Sequence, residues 1–211
     1  MNNNYFFKKK KIILFFIITI FIIIGIYFFY KKIFLSSSEE KALKELIYAQ
    51  KYLSQGVIDK AINNKKKYKN TYLGFSGIIT KYPYTKAGNI AKFYASICYY
   101  KLGNYKESIK IMNTFYAKDE ILSSIKYGII GDSLTQMNNK KEALKNYLKA
   151  ANIKENEITT PLYYYKAALL AFYLKKYQDS KFFFKKIKKK YPLFLYKDNV
   201  DKYLMFIENK L

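Results

Sequence analysis

The chain has 211 residues, a formal net charge of +24 and 39 basic residues, all of them lysine. It contains no histidine, the commonest general base and metal ligand, and it has no glycine-rich phosphate loop. We therefore expect no enzyme, no metal site and no cofactor. Arginine, which reads guanine edges and forks onto phosphate, is also absent, so we expect no nucleic-acid partner. We interpret the lysines as a solvated surface, with a functional basic surface as the alternative.

An uncharged apolar run occupies residues 12–30, after a basic segment at residues 1–11. At about 1.5 Å per residue this run spans roughly 28 Å as a helix, which matches a bilayer core. It is longer than the apolar core of a secretory signal peptide and ends in aromatic residues and lysines, so we favour a single-pass transmembrane helix over a cleaved signal peptide. Four lysines precede the run and two follow it, which predicts a cytoplasmic N-terminal tail.

A linker at residues 31–38 precedes a degenerate helical pair at residues 39–83. Apolar residues recur at helical spacing over Lys41–Ser54, which predicts an amphipathic helix. The polar and basic stretch Ile62–Thr71 predicts a loop, and a short helix follows at about Leu73–Lys81.

Three helical hairpins follow with a period of about 34 residues, at about 89–122, 124–157 and 161–194. We place their turns at Gly103, Asn138 and Lys175. Each copy has a small residue five positions after the turn, where two crossing helices approach closely, and further repeated positions four before, nine after and twelve after it. The residues at these positions are Tyr99, Ser108, Met112 and Phe115 in the first copy, Leu134, Ala143, Tyr147 and Ala150 in the second, and Ala171, Ser180, Phe184 and Ile187 in the third. An amphipathic helix over Lys197–Glu208, within residues 197–211, is predicted to cap the stack.

This spacing, the turn Gly103-Asn104-Tyr105 and the ending Lys190-Tyr191-Pro192 resemble the tetratricopeptide repeat (TPR) family. The resemblance implies an all-α fold: a single N-terminal transmembrane helix, then an α-solenoid of TPR hairpins with a C-terminal capping helix. In that family the first helix of each repeat lines a groove that binds peptides. The candidate groove residues implied for this chain are Phe93, Ile97, Tyr100, Lys101, Ile125, Asp132, Thr135, Gln136, Leu162, Tyr165, Leu169, Phe172 and Tyr173.

Five of these candidates are aromatic, more than a solvated helix face needs, and this favours a hydrophobic peptide-binding groove. The alternative is that the rings are covered by core packing or by a second copy of the chain. Aromatic residues make up 19% of the sequence, so some fall on any helix face.

The layout of the whole chain, with the stretches Thr85–Asn89 and Thr159–Tyr163 opening two repeats, resembles membrane-anchored bacterial TPR proteins of the ancillary Sec translocon subunit type. That resemblance implies an inner-membrane protein with a periplasmic domain that passes secreted polypeptides from Sec translocon subunits to periplasmic chaperones. A scaffold for cell-envelope assembly or cell division is the alternative. An enzyme or a nucleic-acid binder exploiting the charge is the least favoured hypothesis.

Overall fold

The computed structural model describes residues 3–30, 35–63 and 72–211, with side chains from residue 14 onward except that of residue 28. Residues 64–71, most of the predicted basic loop, lie outside the described residues, as do residues 1–2 of the tail and 31–34 of the linker. In the described ranges the chain forms eleven α-helices and no strand, which confirms the all-α fold class. The helices are α1 Asn3–Tyr30, α2 Ser36–Ser54, α3 Ile58–Ile62, α4 Gly74–Lys81, α5 Lys86–Lys101, α6 Tyr105–Thr114, α7 Glu120–Gln136, α8 Lys140–Asn152, α9 Thr159–Tyr173, α10 Tyr177–Lys190 and α11 Lys197–Glu208.

Helix α1 contains the apolar run at residues 12–30 and continues through most of the predicted tail. From Leu14 to Tyr27 every described side chain except that of Thr19 is exposed, so apolar surface faces outward all around the helix. Among the described residues, no helix is long and apolar enough to cross a membrane. In α1 the described side chains form an unbroken run only from Leu14 to Tyr27.

The same turn joins the two helices of four hairpins, α2/α3, α5/α6, α7/α8 and α9/α10. Its central residue is Gly56, Gly103, Asn138 or Lys175, with φ between 59° and 77°. In each turn this residue donates its N–H to the carbonyl three residues before it, and the next N–H reaches the carbonyl five residues before itself, at 2.9–3.0 Å. This is the Schellman arrangement, which satisfies the last carbonyls of a helix. The three predicted turns are confirmed, and the turn at Gly56 adds a fourth hairpin.

The turns are spaced a little more widely than the predicted period. Asn138 comes 35 residues after Gly103 (138 − 103), and Lys175 comes 37 after Asn138 (175 − 138). The second interval is longer because α8 has 13 residues and α6 has 10, which outweighs the shorter α9.

Small residues occupy the point where the two helices of each hairpin cross. One lies seven residues before the turn residue and the other five after it, and all are buried. The pairs are Ala49 with Ala61, Ser96 with Ser108, Gly131 with Ala143, and Ala168 with Ser180. The Ser96 hydroxyl lies 2.8 Å from the Ser108 carbonyl oxygen, and the Ser180 hydroxyl lies 2.9 Å from the Ala168 carbonyl oxygen. Larger side chains would push the helices apart.

The second helix of the first hairpin is split into α3 and α4. A β-carbon on Gly74 would come within 2.6 Å of the carbonyl oxygen of Ile62, so α4 begins against the end of α3. Phe75 and Ile78 are fully buried three residues apart, like the apolar pairs of the other second helices. Phe75 lies 19 residues after the turn at Gly56 instead of nine, so ten residues are inserted (19 − 9). The region predicted as a degenerate helical pair is therefore a hairpin with an interrupted second helix, and α3 was not predicted.

Several helices begin earlier than predicted, and in α5 and α7 a side-chain acceptor satisfies one of the first N–H groups. Helix α2 begins at Ser36, so residues 36–38 belong to it and not to the linker. Thr85 Oγ1 accepts from Gly88 N, which starts α5 at Lys86, and Asp119 Oδ1 accepts from Leu122 N, which starts α7 at Glu120. Side-chain oxygens at these positions are favourable helix caps.

The hairpins stack in chain order. The first helices α2, α5, α7 and α9 contact one another in succession, and each also contacts the second helix of its own hairpin. Helix α11 covers the end of the stack against α10, burying Val200, Leu204 and Ile207. The result is a solenoid-like row of helical hairpins with its last face covered.

Candidate functional site

A cleft of about 330 Å³ lies between α7, α8 and α9. Four of its lining residues, Asp132, Thr135, Leu169 and Tyr173, belong to the predicted groove set. The complete lining is Asp132, Thr135, Lys140, Tyr147, Lys166, Leu169, Leu170 and Tyr173. The cleft thus combines an apolar floor with charged walls drawn from two neighbouring hairpins.

Two glycines in α7 position the aromatic side chains around this cleft. The ring of Tyr147 lies against Gly131, where a β-carbon would come within 2.6 Å of the ring. The ring of Tyr163 lies against Gly128, where the corresponding distance would be 2.1 Å. Only glycine leaves room for rings this close to the helix backbone.

A polar network forms one wall of the cleft. The Tyr147 hydroxyl donates to Asp132 Oδ1 at 2.8 Å, and Lys166 Nζ lies 2.6 and 2.7 Å from the two oxygens of that carboxylate. Thr135 Oγ1 lies 3.1 Å from the Tyr147 hydroxyl oxygen. Asp132 therefore has its charge compensated within the protein and links α7 to both α8 and α9.

Burial, and after it the negative charge of Asp132, raises the pKa of the Tyr147 phenol well above its ordinary value. The same two causes raise the pKa of Tyr163. Both phenols keep their protons at neutral pH, so Tyr147 acts as a hydrogen-bond donor to Asp132 and not as a base.

Lys140 supplies positive charge at the mouth of the cleft. Its Nζ lies 4.1 Å from the centre of the exposed Tyr173 ring, a cation–π contact. Among the described residues no carboxylate lies within 4 Å of this ammonium group. A ligand carboxylate or carbonyl oxygen could therefore approach Lys140 while an apolar group contacts Leu169 and Leu170.

Two further predicted groove residues adjoin the cleft through α5 and the end of α7. The Tyr100 hydroxyl interacts with the side chain of Gln136, and its pKa is raised by burial and then by the charge of Asp132. Tyr100, Asp132 and Gln136 are therefore neighbours in the structure. Lys101, beside Tyr100, is exposed, and Ile97 is half-buried.

Three predicted groove aromatics lie elsewhere, in contacts between helices. Phe93 packs on Phe115, with ring centres 5.3 Å apart. Tyr165 stacks on Tyr196 at 5.2 Å. Phe172 contacts the rings of Tyr177, Tyr203 and Phe206. The last two pack toward the connection before α11 and α11 itself, so the C-terminal cap covers rings that repeat position alone assigns to a groove.

Lys166 and Lys140 were not among the predicted site residues, and Tyr147 was predicted only as a repeated position of the second hairpin. The paired glycines at 128 and 131, three residues apart on one face of α7, were the available signal for rings packed against that helix. Nothing in the spacing of the lysines distinguished these two from the other 37 (39 − 2).

Among the described residues, no group of three His, Cys, Asp or Glu side chains lies close enough to hold a metal ion. The arrangement presents hydrogen-bonding and apolar surface in a cleft, which is suited to binding an extended segment. Comparison with protein-family models and with curated proteins finds no match for this chain.

Proposed function

We propose that this chain is a membrane-anchored TPR adaptor that binds extended segments of other proteins in the cleft between α7, α8 and α9. The observation that carries the proposal is the composition of that cleft: Leu169, Leu170 and Tyr173 offer apolar contact beside the charged groups of Lys140 and the Asp132–Lys166 pair. An extended peptide can place an apolar side chain on the floor and a polar group against the wall.

Assignment to the TPR family is supported by the repetition of local structure. Four hairpins share the same turn geometry and the same pair of small residues at the helix crossing. Proteins built from stacked helical pairs commonly bind partners on the surface formed by successive first helices. In this chain the first helices α7 and α9 supply six of the eight lining residues of the cleft.

The membrane anchor is supported by the uncharged run at residues 12–30 and by its surroundings in α1. The described side chains from Leu14 to Tyr27 leave apolar surface exposed on all sides of the helix, which water disfavours and lipid accepts. The lysines that precede the run support a cytoplasmic N-terminus, with the hairpins in the periplasm of a bacterial inner membrane.

In that location the partners we propose are secreted polypeptides emerging from the Sec translocon, together with translocon subunits and periplasmic chaperones. Such chains are extended and expose apolar side chains, which matches the cleft. A scaffold for envelope assembly or division complexes would bind folded partners instead, and the experiment below separates the two.

A photo-crosslinking amino acid placed at Tyr173 of the full-length protein in cells tests the proposal. Tyr173 is exposed at the cleft, whereas Tyr48 in α2 is exposed on another helix and serves as the matched position. We expect Tyr173 to capture translocating chains or Sec subunits, and Tyr48 not to do so. Capture of cell-wall or outer-membrane assembly proteins would support the scaffold, and equal products from both positions would contradict the cleft as the site.

A charge reversal in the cleft provides a second readout. Lys140→Glu should reduce crosslinking from Tyr173 several-fold, because it replaces the cation at the mouth with a carboxylate. Lys141→Glu is the control, since Lys141 is exposed next to it but does not line the cleft. Unchanged crosslinking in Lys140→Glu would mean that charge at the cleft does not contribute to binding.

A further inference from the structure

Large exposed apolar side chains collect in the loops that connect one hairpin to the next. We call these loops, at residues 82–85, 115–119, 153–158 and 191–196, the loop edge; the turns at 55–57, 102–104, 137–139 and 174–176 form the turn edge. In the turn edge no apolar side chain is more than 48% exposed, the value for Leu102. The loop edge carries Tyr84 at 83%, Tyr116 at 71%, Ile158 at 68%, Leu193 at 94% and Leu195 at 82%.

Side-chain contacts join each loop to the neighbouring hairpin, so these residues lie along one side of the stack. The joining contacts are Asn89 with the Tyr116 backbone at 2.8 and 2.9 Å, Glu120 with Lys154 at 2.9 Å, and Glu155 with Lys190 at 2.8 Å. The start of α2 belongs to the same side, because the Glu39 carboxylate accepts from the N–H groups of Lys86 and Ala87 at 2.6 and 2.8 Å.

The chain enters the stack on this side directly from α1. Helix α1 ends at Tyr30 and α2 begins at Ser36. The five residues between them (31 to 35) reach at most about 18 Å when fully extended. If α1 is the membrane anchor, as the proposed function on which this step rests requires, the start of α2 and the loop edge beside it stay close to the bilayer surface.

The loop edge is also positively charged. In the loop edge or within two residues of it, the exposed lysines without a carboxylate within 4 Å among the described residues are Lys81, Lys86, Lys118, Lys189 and Lys197. Most of the acidic groups on this side are already engaged. Glu39 and Asp119 accept from helix N-termini, Glu120 and Glu155 are paired with lysines, and Glu157 and Asp198 remain.

A cavity of about 330 Å³ opens between two of these loops. The rings of Tyr84 and Tyr116 line it together with Lys86, Lys92 and Lys118. Aromatic rings with polar ends beside several ammonium groups are the side chains that proteins use at the lipid headgroup level.

We infer that the loop edge rests on the membrane surface, with its lysines against anionic lipid headgroups and Tyr84, Ile158 and Leu193 inserted into the interfacial region. Apolar side chains gain from leaving water there, while lysines gain from electrostatic attraction to anionic lipid headgroups. The stack then lies with its hairpin axes upright on the bilayer and its turn edge directed away from the membrane.

The chain contains no tryptophan, so single tryptophans report positions in the full-length protein. We would reconstitute Leu193→Trp, Ile158→Trp, Leu102→Trp and Phe21→Trp variants into vesicles of equimolar phosphatidylcholine and phosphatidylglycerol containing brominated lipid. Leu102 lies on the turn edge and Phe21 in α1. All four side chains are exposed, so the substitutions should leave the stack folded.

We expect tryptophan at positions 193 and 158 to be quenched roughly twofold or more over position 102, because bromine quenches only on contact with the interfacial chain segments. Quenching at position 21 without extra quenching at 193 and 158 would overturn the inference and leave the anchor intact. Absence of quenching at position 21 would overturn the anchor, and with it the proposed function. Equal quenching at 193 in pure phosphatidylcholine would overturn the role of anionic lipid.

Discussion

Lys166 Nζ lies 2.6 Å from Asp132 Oδ1, and this ion pair joins the first helices of two successive hairpins. The same carboxylate oxygen accepts a hydrogen bond from the buried Tyr147 hydroxyl. The Asp132 side chain thus provides an acceptor for a lysine of α9 and a tyrosine of α8.

Replacing Asp132 by alanine should lower the free energy of unfolding by about 1–3 kcal/mol, because the buried Tyr147 hydroxyl loses an acceptor and Lys166 loses its partner. Lys166→Met should cost less, since Tyr147 keeps its bond to Asp132. Urea unfolding followed by circular dichroism measures both. Glu142→Ala is the control, because the exposed pair of Glu142 with Lys145 should contribute less than about 1 kcal/mol. If Asp132→Ala lowered the free energy of unfolding no more than Glu142→Ala, the network would not contribute to stability.

Substitutions at two Schellman turns should change the free energy of unfolding in opposite directions. Lys175 has φ +59°, a conformation that costs a side-chain-bearing residue roughly 1 kcal/mol, so Lys175→Gly should raise the free energy of unfolding by about that amount. Gly103 has φ +77° with open space around it, so Gly103→Ala should lower stability by about 1 kcal/mol through the backbone alone. Lys176→Gly, one residue later at φ −84°, should not stabilise the protein. Thermal melting compares the three.

Deletion of residues 64–73 should leave a folded protein. It places Phe75 nine residues after Gly56, the spacing found in the other hairpins, and it shortens a connection whose ordering costs entropy. We expect the helical circular dichroism signal and cooperative unfolding to be retained, with a lower melting temperature because the deletion also removes Tyr72, which is buried and stacks on Tyr52. Deletion of residues 140–149, of equal length, removes most of α8 and should abolish cooperative unfolding. Loss of structure in the first deletion would show that α3 and α4 are not two halves of one helix.

Cys98 should resist thiol reagents in the folded protein. It is fully buried, and burial raises the pKa of its thiol to about 11, so almost none of it is thiolate at neutral pH. A colorimetric thiol reagent near pH 8 should react slowly with the native protein and rapidly in denaturant. A Cys98→Ala, Lys101→Cys variant carries an exposed thiol one turn away on α5 and should react at once.

The repeats and their turns were predictable because they depend on local spacing. The pattern, a small residue five positions after a turn followed by apolar residues, occupies about 20 consecutive residues. The structure places its small residues Ser108, Ala143 and Ser180 at helix crossings. The region around Gly56 was predicted only as a degenerate helical pair, without its turn or α3, because an insertion moves Phe75 and Ile78 away from their expected positions. The repeat spacing of this hairpin is therefore interrupted in the sequence, and it becomes apparent only in the structure, where α4 begins against the end of α3.

The site was predictable in part. Repeat position alone identified Tyr100, Asp132, Gln136, Leu169 and Tyr173, which the structure brings to the cleft or its border. It also assigned Tyr165 and Phe172 to the groove, although their rings pack against Tyr196, Tyr203 and Phe206. Tyr196 lies just before α11, and Tyr203 and Phe206 lie in it. Because α11 is not part of a repeated hairpin, repeat position does not predict these contacts.

The sequence by itself determined that this chain is helical, that its helices are paired, and where three of the four turns fall, since hydrophobic periodicity and turn residues act over short distances. Only the tertiary structure decided which side chains share a cleft. That choice depends on how closely helices approach, and Gly128 and Gly131 set this distance by admitting the rings of Tyr163 and Tyr147. Packing between distant segments is a property of three-dimensional contact, which no local pattern records.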